Sequence, residues 1–176
     1  MWFLYILLAL AVLILLLAIT AKKSYRVSRS INIQRPAAQV FEYLKYLKNQ
    51  DQWSPWDRKD PNMKKSYQGT DGEPGFVAHW EGNKEVGTGE QELKAIIPGK
   101  RVESELRFLK PFKSTSDAWL EVSTPNPGIT TVEWGFTGKN TFPFSVMSHF
   151  VSMDKMIGKD FEEGLRNLKE QLEEKG

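Results

Sequence analysis

His79 and His149 are the only imidazoles in this 176-residue chain, and it contains no cysteine. An acid–base site would pair one of these histidines, or a buried carboxylate, with a second group that orients it. His79 shares a strand face with Val77 and Glu81, opposite Trp80, so alternation points it outward. His149 precedes the final amphipathic stretch and could cap a cavity. Asp117 and Glu133 fall in the outward phase of their strands, and Ser104 points inward with no base in phase with it. Lack of thiols excludes a Cys nucleophile, a disulfide framework and a Cys-based metal site. Neither histidine has carboxylates at ligand spacing, so no metal and no cofactor is expected. Gly87-Thr88-Gly89 is too short to cradle a phosphate and lacks the accompanying lysine pattern; it reads as a bulge or bend in a sheet.

Aromatic and thioether side chains are the better-supplied chemistry. An apolar-ligand site needs concave apolar walls with a few orienting polar groups. Trp80, Phe108, Trp134 and Phe136 fall on one face of successive strands. Met153, Met156, Phe161 and Gly164 belong to the last helix, with Trp53 or Trp56 near a mouth. The same residues could equally fill a solid core.

These residues need elements to position them. In Met153–Gly176 the apolar residues Met153, Ile157, Phe161, Leu165, Leu168 and Leu172 recur at helical spacing and predict a long helix with one covered face. Glu162 and Arg166 are spaced four apart on the opposite face. Gly158 and Gly164 each cost about 1 kcal/mol in a helix interior. They either open space beneath the helix or let it pack closely on a sheet. From Lys65 onward, Asp71-Gly72, Pro74-Gly75, Gly82-Asn83, Pro98-Gly99 and Pro125–Gly128 punctuate an antiparallel meander. Strands are expected near Lys65–Thr70, Gly75–Glu81, Glu85–Ile97, Arg101–Leu109, Lys113–Ser123 and Ile129–Lys139. Their inner face would carry Phe76, Ala78 and Trp80; Leu93, Ala95 and Ile97; Val102, Ser104, Leu106 and Phe108; Ala118, Leu120 and Val122; Val132, Trp134 and Phe136. Tyr25–Ile33 alternates as a first strand. Pro36 opens a short helix with Val40, Phe41, Leu44 and Leu47 inward, and Asp51–Met63 is a loop or brief second helix.

Trp2–Ala21 carries no charge, and about 20 such residues span a hydrocarbon core of roughly 30 Å. The run reads as a transmembrane anchor over residues 1–23, in preference to a removed signal peptide or a buried helix. Lys22, Lys23, Arg26 and Arg29 follow it, so the positive-inside rule places a domain of residues 24–176 on the cytoplasmic side. The linker reaches only roughly 10 Å when extended and holds that domain at the headgroups. A formal net charge of +2 gives no electrostatic case for nucleic acid.

The order strand, two short helices, six strands, long helix is carried by SINIQRPAAQVFEYL at Ser30–Leu44, WSPW at Trp53–Trp56, TTVEWGF at Thr130–Phe136 and MDKMIGKDFEEGLRNLK at Met153–Lys169. It resembles the helix-grip fold of the START and Bet v 1-like superfamily, and more closely the polyketide cyclase/dehydrase-like branch of SRPBCC proteins. The resemblance implies an α+β domain: a curved antiparallel sheet wrapped around the C-terminal helix, with a hydrophobic cavity between them. It supplies no catalytic motif. The expected function is membrane-anchored binding of a hydrophobic small molecule or lipid. A polyketide cyclase- or dehydratase-like enzyme and a protein-interaction or chaperone-regulating domain are the alternatives. An acid or base facing a solvent-connected cavity would mark the first, and a filled core with a large exposed apolar patch the second.

Overall fold

A computed structural model describes residues 2–141 and 144–174; the last two positions of the expected final helix lie outside them. Helix α1, Trp2–Thr20, is followed by β1 (Ser24–Ile33), α2 (Ala37–Leu44), a 3-10 helix at Leu47–Gln52 and α3 (Pro55–Lys59). Six further strands come next: β2 (Lys64–Gln68), β3 (Val77–Glu81), β4 (Thr88–Ile97), β5 (Arg101–Lys110), β6 (Ser114–Asn126) and β7 (Ile129–Lys139). Among the described residues helices α4 (Phe144–Met147) and α5 (Met153–Glu174) follow.

The seven strands form one antiparallel sheet in the order β1-β7-β6-β5-β4-β3-β2. Sequential strands pair through short turns, and β1 closes onto β7 from Ser24↔Lys139 to Ile33↔Thr130. Helix α5 lies across the concave face and buries Phe161, Leu165 and Leu168 against Val27, Val132, Trp134 and Phe136. This is the helix-grip arrangement.

Glycines decide how closely α5 sits. A Cβ on Gly164 would stand 2.7 Å from Trp134 Cζ3 and 3.1 Å from Pro55 Cδ, and one on Gly158 would run into the Arg29 guanidinium. Close packing is therefore the reason for both glycines. Arg29 occupies the space beside Gly158 and clamps α5 to β1, 2.8 Å from Asp154 and 2.7 Å from Glu162. Glu162 is thereby engaged across the fold by Arg29.

One stretch of the expected inner face is corrected. The β4–β5 register shifts between Leu93 and Ala95, after which Ile96 pairs with Val102 and packs on the core, while Ile97 is exposed. A bulge adds one residue and reverses the phase of alternation beyond it. On the convex face Trp119 is buried. It lies beneath Arg26 and Arg101, 4.4 and 5.0 Å from its ring, over the bare backbone of Gly135, with its Nε1 donating to Glu133 at 3.0 Å.

Candidate functional site

Between the sheet and α5 lies a cavity of about 440 Å³, a size that suits a small molecule or an acyl chain. Its aromatic wall is built from three directions. Strand β7 supplies Trp134 and Phe136, and α5 supplies Phe161, which stacks on Trp134 at 4.2 Å with the planes 8° apart. Helix α3 starts at Pro55, whose fixed φ suits a first helical turn, and turns Trp56 edge-on to Trp134 at 5.5 Å. At the far wall Trp80 meets Phe108 edge-to-face at 5.8 Å. Gly89 makes this possible, because a Cβ there would stand 2.7 Å from Trp80 Cη2. The Gly87-Thr88-Gly89 stretch is thus a bend in the sheet: Gly87 has φ +74° and the register shifts at Thr88/Gly89.

Seven residues singled out in the sequence line this cavity: Trp56, Trp80, Phe108, Trp134, Phe136, Met153 and Phe161. Three do not. Trp53 is 1% exposed and packs behind Trp134, edge-on at 4.9 Å, where its bulk supports the wall. Met156 projects from the first turns of α5 and is 56% exposed. Gly164 faces Trp134 and Pro55 in direct contact, leaving no space beneath it.

The cavity also has a polar end. Lys65 shares the inner phase of β2 with Tyr67 and pairs with Trp80 across the hairpin. Its Nζ lies 2.8 Å from Asp51 and is ion-paired with Asp57, and the Tyr67 hydroxyl donates to Asp51. Burial pushes the Asp57 carboxyl above its usual value; Lys65 partly offsets this and the Asp51 charge adds to it. Burial and the bond to Asp51 likewise raise the Tyr67 hydroxyl. Deeper in the wall, Gln91 donates from Nε2 to Ser104 Oγ at 2.9 Å. Lys59 and Asp160 pair at 2.9 Å near the rim. This cluster was missed in the sequence because Asp51 and Asp57 sit among turn residues. The signal for Lys65 was its two-residue spacing from Tyr67, in phase with Trp80 through the Asp71–Gly75 turn.

The histidines take other places. His79 borders the cavity wall, but its Nδ1 lies 2.9 Å from Glu90, which belongs to an outward network with Arg107, Glu92 and Glu105. His149 does not cap the cavity: its Nε2 donates to the Leu17 carbonyl of α1 at 2.9 Å.

A family model described as polyketide cyclase / dehydrase and lipid transport matches residues 24–173. The chain belongs to this family. Solved structures with the same fold include the protein XoxI from Bacillus cereus, at 17% identity, with 85% of this chain and 96% of that one covered and a TM-score of 0.60. The Aha1 dimer from Colwellia psychrerythraea matches at 16% identity, covering 86% and 99%, with a TM-score of 0.57. Ara h 8.0201 matches at 12% identity, covering 82% and 97%, with a TM-score of 0.53. At these identities the likeness is one of fold. No curated protein matches the chain with statistical support. The match begins at Ser24, the first residue of β1.

Proposed function

We propose that this member of the polyketide cyclase/dehydrase and lipid transport family binds a hydrophobic small molecule or lipid in the cavity between its sheet and α5, and is held at a membrane by α1. The cavity of about 440 Å³ with its aromatic wall carries the reading. Trp56, Trp80, Phe108, Trp134, Phe136, Met153 and Phe161 contact the apolar body of the ligand, and the Asp57–Lys65–Asp51–Tyr67 cluster meets its polar end. Helix α1 is long and apolar enough to cross a membrane, and the rest of the chain leaves it unburied. Residues 1–23 form the anchor and residues 24–176 the binding domain. The basic residues Lys22, Lys23, Arg26 and Arg29 favour the cytoplasmic side.

Native mass spectrometry of the full chain released from membrane extract tests this, with a thermal-shift series over phosphatidylethanolamine, phosphatidylglycerol and free fatty acids. Bound lipid and a concentration-dependent rise in Tm are expected. Bare protein and a flat series would overturn the reading.

Asp57 favours a second reading. It is an acid with a raised pKa facing the cavity and oriented by Lys65, the arrangement expected of a cyclase or dehydratase. Turnover separates the two: an enzyme converts a polyketide-like substrate and loses that conversion in Asp57→Asn, whereas a binding protein shows no conversion in either form. The open cavity departs from the filled core that marks an interaction module, and the exposed apolar side chains outside α1 are read below as facing a bilayer.

A further inference from the structure

The strand register brings four connections to one end of the sheet. Ser24 of β1 pairs with Lys139 of β7, Ser114 with Phe108, Thr88 with Lys110 and Glu81 with Thr88. The exit of α1, the β5–β6 turn, the β3–β4 loop and the β7–α4 connection therefore lie together, and Arg29 holds the first turn of α5 beside them. The cavity reaches the same end, where Val86, Lys110, Pro111, Phe112 and Met153 line it.

Outside α1, eight large apolar side chains among the described residues are exposed, and six of them are at this end: Leu109, Phe112, Met147, Phe150, Val151 and Met156. Phe150 is 76% exposed and Phe112 62%. Helix α4 lies against the last turn of α1, with His149 bonded to the Leu17 carbonyl and within 3.5 Å of Thr20 Oγ1. Any bilayer spanned by α1 must therefore reach the level of α4. Around this apolar group stand the exposed lysines Lys22, Lys23, Lys110, Lys113, Lys139 and Lys155. The exposed acids at this end are Glu81, Glu85, Asp117 and Asp154, of which Asp154 is held by Arg29 and Glu85 lies 3.7 Å from Lys59. Apolar tips inside a basic collar suit the interface of a bilayer containing anionic lipid.

We infer that this end is a membrane-docking face: Phe112 and Phe150 with their apolar neighbours enter the interface of the bilayer that α1 spans, so that the cavity mouth opens onto lipid. The inference rests on α1 being a membrane span and adds that the domain lies down on the same membrane. A ligand then passes between bilayer and cavity without crossing water.

The native chain has no cysteine, so each cysteine variant carries a single thiol. The full chain in nanodiscs of phosphatidylcholine and phosphatidylglycerol is labelled with a fluorophore at Phe112→Cys, Phe150→Cys, Leu10→Cys in α1, or Ser123→Cys at the opposite end of β6. Met147→Cys replaces either aromatic variant that loses the native near-UV spectrum. Labels at 112 and 150 should be several-fold less sensitive to aqueous iodide than the label at 123, and quenched by lipids carrying a nitroxide at a shallow acyl position. The label at 10 should respond to a deep nitroxide. If 10 responds and 112 and 150 behave as 123 does, docking is overturned and the anchor stands. If 10 also stays in water, both fall.

Discussion

Gly164→Ala tests how the cavity wall is built. In a helix interior this change ordinarily gains about 1 kcal/mol, because alanine restricts the unfolded backbone. Here the new methyl would stand 2.7 Å from Trp134 Cζ3 and 3.1 Å from Pro55 Cδ. Trp134 cannot swing aside: Phe161 stacks on it at 4.2 Å, and Trp53 and Trp56 meet it at 4.9 and 5.5 Å. Overpacking of a held core costs about 1–3 kcal/mol, so the net change should be a loss of up to about 2 kcal/mol. Urea unfolding of the full chain in mild detergent, followed by tryptophan fluorescence, should show a lower midpoint at unchanged m. Trp134→Phe removes Cζ3, the ring carbon that the methyl meets. In that background Gly164→Ala should cost at least about 1 kcal/mol less, since side chains in direct contact couple on that scale. A gain of about 1 kcal/mol in both backgrounds would refute the packing argument and restore open space beneath α5.

Two further outcomes follow from the charged groups. Arg29 holds the Asp154 carboxyl below its ordinary 3.8, so between the folded and unfolded values the unfolded chain binds more protons and stability rises with pH. The clamp's contribution is complete above pH 3.8 and lost as pH falls through the lowered folded value; the Tm gap between wild type and Asp154→Asn should close over that window in a pH series. Asp57 is raised by burial and pulled back by Lys65, so Lys65→Met should move its carboxyl titration, followed by carbon NMR, upward from the wild-type midpoint. The native state then holds the Asp57 proton to higher pH, and stability should decline more steeply in the variant as pH rises from acid toward neutral. An unmoved midpoint would mean that the Asp57–Lys65 pair does not persist in solution.

The apolar half of the site was legible because burial writes itself as periodicity. Strand alternation placed Trp80, Phe108, Trp134 and Phe136 on the concave face, and helical spacing placed Phe161 opposite them. Periodicity fails where the backbone departs from its period. The bulge after Leu93 exchanges Ile96 for Ile97, and no feature of the Leu93–Ile97 stretch other than the pairing partner reveals it. Composition fails in a different way at Trp119, a residue in outward phase that is buried because two arginines and a bare glycine enclose it.

The polar end of the cavity was the hardest part to read, for a physical reason. A buried charge is stable only with its partners, and those partners are set by tertiary proximity. Lys65 acquires its environment from Asp51, at the end of the 3-10 helix, and from Asp57, in a five-residue helix started by Pro55. In the sequence Asp51, Asp57 and Lys65 are unremarkable charges in a turn-rich segment, and each would be solvated if α3 were not tied down. What ties it down is apolar: Trp53 and Trp56 against Trp134, and Pro55 against Gly164. The orienting carboxylates are thus placed by the aromatic wall. A substitution that loosens Trp134 should therefore disturb the polar end of the cavity as well as the apolar one.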